Sequence, residues 1–204
     1  MKLYNSVGPN PQVVRSFMAE KGIELPMHTV DVRGGETRRE PYISKVNPRG
    51  QSPALELEDG SILTEITAIC EYLEELHPSP PLIGSTPEER AETRMWTRRM
   101  DIAVCEPLAT GFRAAEGYER FKDRFRLLPQ AADDLKAIAQ DNLKWLDANL
   151  GDREFLCGNR FTLADIHLYS FLAFGTQVGQ PMNPDNTHVM AWYERMAARP
   201  SASA

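Results

Sequence analysis

Asn47-Pro48-Arg49-Gly50-Gln51-Ser52-Pro53 has the residue types of a peptide-binding loop. Proline offers no amide to a sheet ladder, so Pro53 belongs at the start of a strand rather than inside one. If its bond is cis, Ser52 turns outward and its N–H and C=O can pair with a peptide ligand as a short added strand. The spacing fits a plain Pro-Gly turn equally well. Glu65 opens a second feature, a run in which Ile66, Ile69, Cys70, Leu73 and Leu76 follow helical spacing. A carboxylate there either complements the helix dipole or meets an α-ammonium group, while the free amides of the first turn take the neighbouring α-carboxylate. A γ-glutamyl group carries both charges on one carbon.

The elements that must hold these residues are readable in outline. Residues 2–5 read as a strand, 11–21 as a helix stopped by Gly22, and 28–32 as a second strand. Residues 36–46 read as a short irregular helical segment. Two short strands, 54–57 and 61–63, flank Glu58-Asp59-Gly60, a hairpin signal, and the helix after Glu65 follows. This order, βαβ then ββα, predicts an α/β thioredoxin-like domain with a mixed four-stranded sheet. His77-Pro78-Ser79-Pro80-Pro81 reads as a linker, because proline removes donors and disfavours helix before it. Beyond it the periods are helical, over about 87–115, 131–149, 162–176 and 187–198. Thr162 and Asp165 are spaced as a capping box, with Phe161 placed to staple the first turn. The expected organisation is therefore 1–77 thioredoxin-like, 78–86 linker and 87–204 all-helical.

Bulk properties narrow the classes. At 204 residues the chain is comfortable for two small domains. A net charge of -6 argues against a nucleic-acid partner, which wants a basic face. The arginines Arg94, Arg98 and Arg99 are interspersed with acids and read as a solvated helix face. No stretch approaches the ~18 apolar residues of a membrane span, and the first residues run straight into a strand, so neither an anchor nor a signal peptide is expected. Three widely spaced cysteines, Cys70, Cys105 and Cys157, form neither a redox pair nor a metal cluster. A cytoplasmic protein without a metal is the expectation.

The chain resembles the glutathione transferases. Lys2-Leu3-Tyr4, Ala19-Glu20-Lys21-Gly22, Asn47 to Pro53, Leu63-Thr64-Glu65, Thr67-Ala68-Ile69, Glu71-Tyr72-Leu73 and Phe161 to Asp165 fall in that family's order. Gly8-Pro9-Asn10-Pro11 with Val14-Arg15, and Glu56 to Gly60 running into Thr67 to Tyr72, look most like its atypical fungal and bacterial members, which lack the usual catalytic Tyr, Ser or Cys. The resemblance implies that Gln51, Ser52 and Pro53 hold the cysteinyl part of glutathione as co-substrate. It gives Glu65 and Ile66, with Thr67 compensating for the serine usual at 66, to the γ-glutamyl end. Arg38 or Arg39 would face the glycine carboxylate; two solvated arginines beside Glu36 and Glu40 are an equal reading. A homodimer and a hydrophobic electrophilic partner are implied too.

Such an enzyme must stabilise a thiolate, and its donors belong at the end of the first strand and the start of the first helix. Ser6, Asn10 and backbone amides are the candidates there. Asn10, before Pro11, also fits a helix N-cap. Gly8 or Pro9 falls where serine-type members carry their catalytic residue, and neither has a side-chain donor. The electrophile's site is expected on the helix around 100–118, with Phe112, Arg113 and Tyr118 as candidates. Transfer of glutathione's thiol to an electrophile is the leading function. Glutathione-dependent disulfide or peroxide reduction, and a weakly catalytic binding or assembly module, remain open alternatives.

Overall fold

The computed structural model describes residues 1–204, which divide into two compact units, Met1–Leu82 with Pro200–Ala204, and Ile83–Arg199. The first unit runs β1 (Lys2–Asn5), α1 (Pro9–Lys21), β2 (Met27–Thr29), a 3-10 turn (Glu36–Arg38), α2 (Tyr42–Lys45), β3 (Ala54–Glu56), β4 (Ile62–Thr64) and α3 (Ile66–Leu76). The sheet order is β2-β1-β3-β4, with β1 parallel to β2 and antiparallel pairs elsewhere. This is the mixed four-stranded, thioredoxin-like sheet expected from the sequence. Alternation along β1 serves both faces. Leu3 is fully buried, as are Leu55 of β3 and the inward residues Val13, Val14 and Phe17 of α1 and Ile69, Cys70 and Leu73 of α3. Tyr4 packs with the cluster of Val30, Tyr42, Val46 and Ala54, so the short α2 carries a second core.

Two local differences have plain causes. The first helix begins at Pro9 rather than residue 11, since Gly8 at φ 117° makes the cap. A positive φ there suits only glycine. The second strand ends at Thr29, and the chain turns through Asp31, whose carboxylate accepts from Gly34 N–H at 2.7 Å. At the far end of α1, Lys21 Nζ lies 2.6 Å from Glu74 Oε2 on α3 and donates to Pro80 O at 2.5 Å, tying both helices to the proline-rich segment. Residues 200–204 lie on α1, where Ser16 Oγ donates to Ser201 O at 2.7 Å.

The second unit is helical: α4 (Pro87–Met100), a π-helical turn (Asp101–Cys105), α5 (Glu106–Ala114), α6 (Tyr118–Phe121), α7 (Ala132–Leu150), α8 (Leu163–Gln177) and α9 (Thr187–Ala197). The expected helix over 87–115 is thus interrupted. Pro107 has no N–H and its ring crowds the preceding turn, and the wider π turn just ahead of it relieves that conflict. Asp165, fully buried, ties the unit together. Its carboxylate accepts from Leu156 N at 2.9 Å, Thr162 N at 3.0 Å, Thr162 Oγ1 at 3.2 Å and Trp192 Nε1 at 3.0 Å. Burial pushes Asp165 up to about 6 although all four donors pull the other way.

Candidate functional site

Strand register assembles the site of the first unit. Tyr4 pairs with Ala54, and Ala54 with Thr64. The residues just beyond these pairs therefore meet at one end of the sheet: Asn5 and Ser6 leaving β1, Ser52 and Pro53 leading into β3, and Glu65 leaving β4. Residues far apart in sequence become neighbours because three strands stop in step.

The loop before β3 is held from within. Asn47, 5% exposed, accepts from Arg49 N at its Oδ1 (2.9 Å), and its Nδ2 donates to Gln51 O at 2.9 Å. Tyr42 Oη donates to the same carbonyl at 2.8 Å, and burial pushes its hydroxyl up to about 12. Gly50 sits at φ 62° with a Cβ position 3.0 Å from Thr37 O, so a side chain there would be both strained and crowded. Arg49 Nε reaches Gln51 Oε1 at 3.3 Å. The Ser52–Pro53 bond is cis. Since β3 starts only at Ala54, the N–H and C=O of Ser52 stand outside the ladder. Sequence reasoning named the loop and missed Tyr42 and Asn47 as its supports, because nothing in a single chain signals a bond from one short helix to a carbonyl nine residues on.

Glu65 is the one non-glycine residue at positive φ, 71°. Such a conformation costs on the order of 1 kcal/mol and recurs at ligand sites. Exposed, it caps α3 without a side-chain bond, and Ile69 N donates back to Glu65 O at 2.9 Å. The N–H groups of Ile66, Thr67 and Ala68 are left as the orphan donors of the first turn, a suitable seat for a carboxylate.

The start of α1 differs. Its first three residues are Pro9, Asn10 and Pro11, so two of the three orphan donors are missing, and Gln12 N is bonded to Gly8 O at 3.2 Å. Asn10 alone brings a free backbone N–H, and its side chain makes no cap. The N-cap alternative for Asn10 is thereby corrected: the helix starts at Pro9, two residues earlier than expected, and Gly8 holds that position. At the end of β1, Ser6 is 4% exposed, its Oγ 2.5 Å from Ser52 Oγ and 3.3 Å from Val7 O. Arg15 Nη1 fixes the backbone by donating to Asn5 Oδ1 at 2.6 Å and Ser6 O at 3.0 Å. Tyr4 Oη is turned to Glu56 Oε2 at 2.8 Å.

Arg38 and Arg39 are both exposed. Arg39 Nη2 donates to Gly34 O at 2.6 Å, and Arg38 lies along Gly35. Their acidic neighbours are otherwise engaged: Glu36 accepts from Asp31 N at 2.7 Å and faces His28 at 2.9 Å, and Glu40 takes the Ser44 hydroxyl. In the helical unit, Phe112 is 9% exposed against Phe174 and Phe121, with centroids 5.0 and 6.0 Å away. Arg113 lies over the Phe125 ring at 5.6 Å and 4.0 Å from Glu106, while Tyr118 is 37% exposed. Burial pushes the thiols of Cys70, Cys105 and Cys157 up, away from the nucleophilic thiolate form.

Comparison with known proteins agrees with this fold. The glutathione S-transferase N-terminal domain family matches residues 7–76, and the glutathione S-transferase C-terminal domain family matches residues 123–200. Glutathione S-transferase 2 of Saccharomyces cerevisiae is 30% identical over 98% of this chain and 87% of its own length. A crystal structure of a glutathione S-transferase domain-containing protein from Marinobacter aquaeolei superposes with a TM-score of 0.92 at 36% identity, covering 99% of this chain and 100% of that one. Gtt2 from Saccharomyces cerevisiae gives 0.91 at 29% identity, covering 100% and 99%.

Proposed function

The chain belongs to the glutathione S-transferase family and is a glutathione transferase; we propose that it binds glutathione along the end of the sheet where Ser52-Pro53 and Glu65 meet, and activates its thiol for transfer to a hydrophobic electrophile. The observation that carries this is the register of β1, β3 and β4, which brings an unpaired peptide edge beside an uncapped helix start. Ser52 pairs with the cysteinyl backbone, and Gln51 and Pro53 shape its seat. The α-carboxylate takes the amides of Ile66 and Thr67 with the Thr67 hydroxyl, and Glu65 takes the α-ammonium. Arg38, which has no carboxylate partner, or Arg39 faces the glycine carboxylate.

A free thiol is only about 3% ionised at pH 7, its pKa being about 8.5. Lowering that value by about two units requires ~2.7 kcal/mol in favour of the thiolate, the work of one or two hydrogen bonds to a charged sulfur. With Pro9 and Pro11 removing amides, Asn10 supplies the first donor, and the buried hydroxyl of Ser6 at the end of β1, bonded to that of Ser52, supports the second. This makes the chain one of the family's atypical members without a catalytic Tyr, Ser or Cys at the usual place. Phe112, Arg113 and Tyr118 hold the acceptor, supported by the packing of Phe112 on Phe174 and of Arg113 over the Phe125 ring. The enzyme works as a homodimer in the cytoplasm. Exposed Met95 and Ile102 support self-association, and three buried free thiols suit a reducing compartment. No helix is long and apolar enough to cross a membrane.

Titration of the thiolate ultraviolet absorbance of bound glutathione tests the mechanism. A pKa well below the free value is expected; binding with an unchanged pKa would sink it.

A further inference from the structure

Resting on that reading, we propose that the hydroxyl of Ser52 is itself a donor to the glutathione thiolate, and that Ser6 acts through it as the positioning residue. The two hydroxyls lie 2.5 Å apart, and the bond between them requires one donor and one acceptor. Which is which follows from burial. Ser6 is 4% exposed, so its proton must find a partner inside the protein. Val7 O, at 3.3 Å, is beyond the usual range of a hydroxyl bond; Ser52 Oγ is well within it. In this proposal the shorter of the two bonds takes the Ser6 proton, so that Ser6 donates to Ser52. Ser52 is only partly buried, so its own proton is left for solvent or ligand.

The scaffold holds the backbone on both sides of this pair. Arg15 pins the backbone of Ser6 through its carbonyl at 3.0 Å and the adjacent Asn5 side chain at 2.6 Å. The Gln51 carbonyl, one peptide before Ser52, is held by Tyr42 and Asn47. Both serines are thus held at or beside their backbone. A hydroxyl that already accepts a short bond is the stronger donor. The residue whose backbone pairs with the cysteinyl group thus carries a polarised proton beside that group's sulfur. Only hydrogen bonds rearrange: Ser6 keeps its bond to Ser52, Ser52 exchanges water for sulfur, and no proton is transferred.

The test is the thiol pKa of bound glutathione, read by thiolate absorbance, in wild type, Ser52→Ala, Ser52→Thr, Ser6→Ala and the double alanine variant. Ser52→Ala is expected to raise it by about one unit, a tenfold loss of thiolate near neutral pH, with affinity for S-methylglutathione changed less than about twofold. Ser52→Thr, which keeps the hydroxyl, restores the wild-type value. Ser6→Ala gives a smaller rise, and the double variant matches Ser52→Ala, because Ser6 acts only through Ser52. A lowered wild-type pKa that Ser52→Ala leaves unmoved overturns the Ser52 assignment alone, as does a larger effect at Ser6 than at Ser52. A wild-type bound thiol titrating at its free value overturns thiol activation and this inference together.

Discussion

Asn10 and Glu65 stand at two helix starts that proline makes chemically unequal. At α3 the amides of Ile66, Thr67 and Ala68 are all present, whereas at α1 only Asn10 keeps one. The first is suited to a full carboxylate, the second to a single soft anion approached by one side chain. Replacing Asn10 by alanine is therefore expected to raise the bound thiol pKa by about one unit and lower kcat/KM near neutral pH about tenfold, with little change in KM for glutathione. Asn10→Asp should be worse than alanine, because a carboxylate beside the sulfur opposes its ionisation. Steady-state kinetics with an aromatic halide, alongside thiolate titration, would expose a purely structural role as equal losses in both variants. Glu65→Gln separates binding from activation. It should weaken S-methylglutathione about tenfold by isothermal titration yet leave the bound thiol pKa in place.

At the scale of elements, the loop before β3 is only as good as the short helix beside it. Tyr42 spans the gap, its ring in the second core and its hydroxyl on the Gln51 carbonyl. Tyr42→Phe keeps the ring and removes the bond. The expected cost is about 1 kcal/mol in urea unfolding, with glutathione affinity falling about fivefold as the loop loosens. Unchanged affinity would mean that Asn47 suffices. What could be read beforehand follows the range of the interactions. The hairpin at Asp59-Gly60, the stop at Gly22 and the apolar face of α3 are local patterns, and each was legible. The π turn was not, since Pro107 announces a conflict with helix geometry but not how the chain relieves it. The Ser6–Ser52 and Tyr42–Gln51 bonds depend on register and packing, which no spacing along the chain encodes.

At the scale of the molecule, each unit has its own core, and Asp165 is where the helical unit concentrates its polar interior. It joins the segment around Leu156, the start of α8 and Trp192 of α9 through a single carboxylate. Its pKa of about 6 lies above the ~3.9 of an unfolded aspartate, so between these values the folded chain holds a proton that the unfolded chain has released. The linkage sign is then fixed: this residue's contribution is greatest below about pH 4, is lost as pH rises to about 6, and is constant above, a change on the order of 2–3 kcal/mol. Glu36, Glu56, Asp59 and Asp101 have lowered values and act oppositely, adding stability as pH rises through the acid range. Comparison with Asp165→Asn isolates the one from the others. The variant should be less stable at every pH, because an amide nitrogen cannot accept from both Thr162 groups. The deficit should be largest near pH 4 and shrink toward pH 7, since only the wild type loses this stability on ionising. Urea unfolding at several pH values measures the gap directly. A gap that widens with pH would mean that the four donors outweigh burial, so that Asp165 is ionised in the folded chain throughout.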